Sequence, residues 1–261
     1  MLHQQHVFDK RFLPYGSQLI PLAAIPTVLG NEITTIDAQQ RLARWLWCGI
    51  FGELYGGTIE TRFARDVPDV VAWVRGSSTE PRAIDEAQFA PGRLDTLRSR
   101  NSAAYKGIYA LLMKRAADWH SGELAGVTTY FDEAVDIHHI FPRAWCDKQS
   151  IPASVYNSIL NKTPLTARTN RVIGGYAPSE YMKRLASGAG VPLDAVVANV
   201  TTHLVDTEPL LAGGDFATFM DRRRIALLGF ISGAMGKVLE TGASVEDVDE
   251  PFETDDDLED A

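Results

Sequence analysis

Asp136-Ile137-His138-His139-Ile140-Phe141-Pro142 is the stretch on which the reading of this chain turns. The segment Val127 to Ile140 is rich in Thr, Tyr, Phe, Val and Ile, so short strands are expected there, the second ended by Pro142. Downstream, Ala144 to Ser150 reads as a short turn or helix. Leu165 to Val172 reads as a return strand or turn, closed by Gly174-Gly175. Pro178-Ser179-Glu180 starts a helix with proline near its first turn. Phe216 to Leu239 reads as one long helix.

Upstream the pattern is helical. Asn31 to Glu60 reads as mostly helix, because Ala38 to Trp47 consists largely of good helix formers with an apolar face at three- and four-residue steps. Ser102 to Trp119 is a second candidate, with Asn101 or Ser102 as its cap and Ile108, Leu111 and Leu112 on the buried side. Gly76 to Gly92 clusters Gly, Ser and Pro and reads as loop. The fold class is therefore α+β, a mainly helical body with an embedded strand–loop–helix insert. Residues 1–125 are expected to form a helical region packing on the insert. Residues 126–240 hold the insert and the C-terminal helices, and 241–261 form a disordered acidic tail.

The 261 residues can bury a sizeable core, and 45% hydrophobic with 23% charged residues is ordinary for a globular protein. No apolar run approaches the ~18–20 residues of a membrane span, and Leu19 to Leu29 is short and carries two prolines. Met1 to Arg11 lacks the layout of a signal peptide. A cytoplasmic protein without a membrane partner is expected. Cys48 and Cys146 are the two cysteines, which implies no disulfide framework. The net charge of -9 is unevenly spread. Glu246 to Ala261 holds ten acidic residues and no basic one, so the rest of the chain carries -9 + 10 = +1. From His138 to Arg184, seven Lys/Arg face two acids, a local +5 that suits phosphate binding.

The residues around the opening stretch carry chemistry. Adjacent histidines on a strand point to opposite faces, so they take two tasks rather than share one. His138 can bind a metal, and His139 can stay neutral near pH 7 and act as general base on a water. Asn161, after the apolar pair Ile159-Leu160, can hold the His-bearing loop by amide bonds to its backbone. Asn170 stands before Arg171 and the Gly-Gly break, where its carbonyl oxygen can reach the metal. One imidazole, an amide oxygen and water suit Mg²⁺ or Mn²⁺ better than a closed zinc site. Phosphodiester hydrolysis needs both a charge-stabilising cation and a base.

The stretch Asp136 to Pro142, with Asn161 to Leu165 and Asn170 to Gly175, resembles the HNH (His-Me finger, ββα-metal) nuclease motif. More narrowly, His138 to Pro142, Asn157 to Leu165, Asn170 and Pro178 to Tyr181 resemble the C-terminal nuclease domain of GmrSD-like modification-dependent restriction and phage-defence proteins. The likeness extends to Phe12 to Tyr15, Leu19 to Leu22, Trp45 to Cys48, Phe51-Gly52 and Asp118-Trp119 with Gly122, covering most of residues 12 to 235. It implies an embedded ββα-metal core that nicks DNA, leaving 5′-phosphate and 3′-hydroxyl ends, in bacterial anti-phage defence. It assigns His139 as general base, His138 and Asn170 as metal ligands, and Asn161 as the loop-orienting residue. Asp136 is a second ligand, a partner to a histidine ring, or a strand-edge residue. Arg143, Lys162, Arg168 and Arg171 are the expected DNA contacts.

Full-length members carry an N-terminal nucleotide-binding module with an Asp-Gly-Gln-Gln-Arg signature. Asp37-Ala38-Gln39-Gln40-Arg41 matches it only by coincidence, so a sensing module is expected on another chain or outside this sequence. Two rival functions remain: a catalytically silent DNA-binding module, and an RNA-cleaving toxin nuclease. Among lesser candidates, Arg222-Arg223-Arg224 can contact phosphates or pair with acids on a helix face. His120 and His203 read as surface or core residues, Trp45, Trp47 and Phe51 as core, and Cys146 as a packed thiol.

Overall fold

The computed structural model describes residues 1–57, 59–77, 79–132 and 135–239. The helices are α1 (Leu19–Leu29), α2 (Ile36–Phe51), α3 (Ile59–Val74), α4 (Arg82–Glu86), α5 (Arg93–Thr96), α6 (Ala103–Met113) and α7 (Val127–Asp132). Strand β1 (Asp136–His139) follows, then α8 (Arg143–Lys148), α9 (Ala153–Tyr156) and strand β2 (Lys162–Leu165). The chain continues through α10 (Ala167–Ile173), α11 (Pro178–Ala189), α12 (Leu193–Thr201), α13 (Glu208–Leu211) and α14 (Phe216–Met235). Among the described residues the architecture is mainly helical with one two-stranded sheet.

Two compact units are present. Among the described residues, the first takes 1–93, 99–107 and 230–239; the second takes 94–98 and 108–229. Within the second unit, Ala117 bonds to His203 and Asp118 to Thr166, the residue after β2.

In the first unit, Thr35 caps α2 by accepting the Ala38 N–H at 3.2 Å. The buried face of α2 places Trp45, Trp47 and Phe51 in the core. Trp47 stacks on Phe51 at 5.8 Å, and Phe51 meets Phe89 edge-on. Gly107 of α6 lies so close to α2 that a Cβ would meet Ile50 at 2.7 Å. The Tyr55 hydroxyl donates to the carboxylate of Asp66, which is fully buried. Lys237 donates to the carbonyls of Ile84, Asp85 and Ala87, closing the C-terminal end of α4.

In the second unit the strands pair antiparallel, Asp136 with Leu165, Ile137 with Pro164, His138 with Thr163 and His139 with Lys162. Two expectations are corrected. Residues 127–132 form helix rather than strand: among the described residues β1 is bonded to β2 alone, so the upstream segment has no partner ladder. The return strand is 162–165, not 165–172, because Thr166 accepts the Thr169 N–H at 3.1 Å and starts α10 there. That helix ends at Gly174, whose φ of 48° favours glycine and whose N–H donates to the Asn170 carbonyl at 2.9 Å. Pro178 sits at the first turn of α11. The long helix ends at Met235, four residues before Leu239.

Both ends of β2 are held by buried polar groups. Asp118 accepts from the Thr166 hydroxyl at 2.8 Å, the Thr169 hydroxyl at 2.7 Å, and the backbone N–H groups of His120 and Ser121. Burial pushes its carboxyl up, but these four donors outweigh that and hold it below the ordinary carboxylate value. His203 accepts from the Thr163 hydroxyl at Nδ1 and donates from Nε2 to the Ala117 carbonyl, both at 2.8 Å. Burial, aided by Arg223 and Arg115, pushes its imidazole down to about 4. Arg223, itself buried, donates to the carbonyls of His203 and Lys162.

These two groups make the second unit acid-sensitive. On unfolding, His203 regains a value near 6.5, so the unfolded chain binds the extra proton between there and about 4. Stability therefore falls as pH drops through that window. It falls again below about pH 4 as Asp118 is forced to protonate. Chemical denaturation should show a flatter slope for His203→Gln between pH 6.5 and about 4. Asp118→Asn should lose about 3 kcal/mol at neutral pH, a deficit that shrinks below about pH 4. An unchanged slope in the first variant would mean that His203 is not the group that titrates.

Candidate active site

Strand alternation puts Asp136 and His138 on one face of β1 and Ile137 and His139 on the other. Ile137 is buried, whereas Asp136, His138 and His139 are half-buried. The Asp136 carboxylate accepts the Ile137 N–H at 2.7 Å, which orients it at the strand edge. His139 is the last strand residue; its Nε2 lies 2.9 Å from Asn157 Oδ1, and the Tyr156 ring stands edge-on at 5.9 Å.

Asn161 is fully buried and uses its whole amide. Its Oδ1 accepts the Phe141 N–H at 2.8 Å, and its Nδ2 donates to the carbonyls of Phe141 and Tyr156, each at 3.0 Å. Its backbone carbonyl accepts the Ile140 N–H at 2.8 Å. The turn after His139 is thus tied to the end of α9, and the Tyr181 hydroxyl adds a bond to the Ile140 carbonyl at 2.9 Å. Asn170 lies half-buried on α10, one turn before Gly174. Arg168 and Arg171 of α10 are exposed, as is Arg143 at the start of α8. Lys162 is 6% exposed, so the expected surface cation is covered: all four residues of β2 are buried.

Among the described residues no three His, Cys, Asp or Glu side chains converge as a metal site. A cation at β1 would draw on His138, with Asn170 and Asp136 as oxygen donors and water for the rest. That donor set fits a hydrated hard cation and not a closed zinc site.

The remaining candidates resolve structurally. Arg222 pairs with Asp206 and Glu208, Arg224 with Asp95 and Asp221, and Arg223 is buried. Asp37 and Arg41 form an i,i+4 ion pair at 2.8 Å on α2. His120 and His203 are buried core residues. Cys146 is a buried free thiol that burial pushes up to about 12. Asn157, Asp118 and Tyr181 were not singled out as partners of the site. All three fall within the stretches that carry the family resemblance, but no local pattern marks any of them as a partner of the site.

The chain thus defines a mainly helical α+β protein whose small antiparallel sheet presents two histidines. It is 27% identical, over 195 residues, to the uncharacterized protein MJ0686 of Methanocaldococcus jannaschii; the match covers 69% of this chain and 32% of that protein. This chain therefore spans about a third of that relative's length. No family model matches the chain, and no solved structure matches it significantly. Among the described residues no helix is long and apolar enough to cross a membrane.

The Asn161 amide is the most heavily used side chain of the site, and its removal is the direct test of the loop's anchoring. Asn161→Ala leaves the buried Phe141 N–H without its acceptor and the Tyr156 carbonyl without its donor. It should cost about 3 kcal/mol or more in urea denaturation. A loss below about 1 kcal/mol would show that the loop is held by packing instead.

Proposed function

We propose that this chain is a metal-dependent endonuclease of the HNH kind that nicks DNA, acting as the nuclease part of a bacterial system against foreign or modified DNA. One observation carries the reading. The strand bearing His138 and His139 pairs antiparallel with a second strand, and a short helix bearing Asn170 follows directly. This strand–strand–helix order matches the order that the motif resemblance implies. The Asn161 bonds give the intervening loop the rigidity that a positioned base requires.

In this reading His139 takes a proton from the water that attacks the scissile phosphorus, the phosphorus–oxygen bond to the leaving group breaks, the leaving oxygen takes a proton from solvent water to become a hydroxyl, and His139 returns its proton to solvent. A bound Mg²⁺ or Mn²⁺ would supply charge stabilisation at the phosphate and the leaving oxygen. His138, Asn170 and Asp136 are the residues that would hold it. Arg143, Arg168 and Arg171 are the exposed cations proposed to bind the DNA backbone; Lys162 is left out because it is buried. A partner module that senses the target DNA is part of the proposal, because the motif resemblance implies one.

The test is conversion of supercoiled plasmid to open circles with Mg²⁺ or Mn²⁺, with EDTA and His139→Ala as controls. Nicking should require the metal, and His139→Ala should lower the rate by about 100-fold or more. Cleavage of RNA but not DNA would move the activity to a toxin nuclease. No cleavage of either, on modified or unmodified DNA, would favour a silent binding module.

A further inference from the structure

We propose that Asn157 fixes the tautomer and ring orientation of His139, and is thereby a positioning residue for the hydrolysis proposed above; the catalytic half of this statement rests on that reading. The carbonyl oxygen of an amide only accepts hydrogen bonds. With Asn157 Oδ1 at 2.9 Å from His139 Nε2, the proton of the neutral ring belongs on Nε2. The lone pair then belongs on Nδ1, the nitrogen that would act as base.

The contact is built rather than incidental. Asn157 and His139 are 18 residues apart and come from different elements. The Asn161 amide joins Phe141, two residues after His139, to Tyr156, the residue before Asn157. One buried side chain thus holds both partners of the pair. Asn157 is further held as the C-cap of α9, its N–H donating to the Ala153 carbonyl at 3.0 Å. The next two residues are anchored as well: Ser158 accepts the Leu160 N–H, and the Ile159 N–H donates to the Leu97 carbonyl at 2.8 Å. The Tyr156 ring limits rotation of the imidazole from its edge. A neutral amide also sets the tautomer without placing a negative charge beside a phosphate-binding surface, where a carboxylate would repel the backbone.

The experiment reads the tautomer directly, on the full chain without metal or DNA. Long-range proton–nitrogen correlation at about pH 8 reports which imidazole nitrogen carries the proton. The His139 signals are assigned by their loss in His139→Gln. The wild type should show the Nε2–H form, Asn157→Leu a mixture of the two forms, and Asn157→Asp the Nε2–H form again. In the nicking assay, kcat of Asn157→Leu should fall about 10- to 100-fold with KM nearly unchanged, and Asn157→Asp should recover most of kcat while its charge raises KM. An Nδ1–H form in the wild type overturns the proposal and needs no variant. So does an unchanged Nε2–H form in a folded Asn157→Leu. If the tautomer responds as expected but the wild type nicks neither DNA nor RNA, control of His139 by Asn157 stands and the nuclease reading falls.

Discussion

The buried amide of Asn161 is the constraint on which the arrangement around β1 depends. A side-chain amide has one strong acceptor and two donor hydrogens, and here the acceptor and the donor nitrogen are both committed to backbone groups. The geometry is demanding because the residue is fully buried, so any misplaced backbone would leave a polar group without water or partner. The consequence is that the turn after β1, the end of α9 and the start of β2 move as one piece. A two-stranded sheet of four-residue strands is marginal by itself. It persists because polar anchors stand on each side of it, Asn161 before β2 and Asp118 after it.

Those anchors share a strategy with a cost. Asp118, His203 and Arg223 are ionisable groups placed inside the second unit; Asp118 and His203 have partners for their polar atoms, whereas Arg223 donates to two carbonyls but keeps a buried Nε–H without a partner. Asp118 keeps its charge because four donors surround it; His203 gives up its charge because its surroundings offer a carbonyl and a hydroxyl but no adjacent carboxylate bond. Both choices tie the strand pair to neutral pH. The exposed cations follow a different logic. Arg222 and Arg224 are matched to acids, while Arg168 and Arg171 lie exposed on the helix that bears Asn170. The exposed cations of the motif region are spread over α8, α10 and α11, with Arg143 of α8 paired to Asp147.

Much of the helical framework was legible in the sequence. The helix of Ile36–Phe51 with its aromatic core, the proline start of Pro178 and the long helix from Phe216 follow from periodicity and local capping, which act over a few residues; α6 starts at Ala103 as expected, but the buried Ser102 hydroxyl caps no N–H. The assignments around the sheet fared less well. Residues 127–132 have the composition of a strand but no ladder to join, and strand formation is decided by a partner that lies elsewhere in the chain. The cap at Thr166 shortened the return strand, because its hydroxyl takes the Thr169 N–H and starts α10 at Ala167. The acidic tail, 241–261, lies outside the described residues.

The sequence by itself determined the residue types and their order: two histidines, Asn161, Asn170 and a run of cations in a region of local charge +5. It also determined that β1 would present its two histidines to opposite faces, because side-chain alternation is a property of the extended backbone. Only the tertiary structure decided which groups meet. It set Asn157 against His139, closed Asp118 onto Thr166 and Thr169, buried Lys162, and paired Arg222 and Arg224 with acids. Such contacts join residues from 14 to 129 positions apart, so no local pattern encodes them. They arise when apolar packing brings distant segments together and the buried polar groups must then find partners among whatever has been brought near.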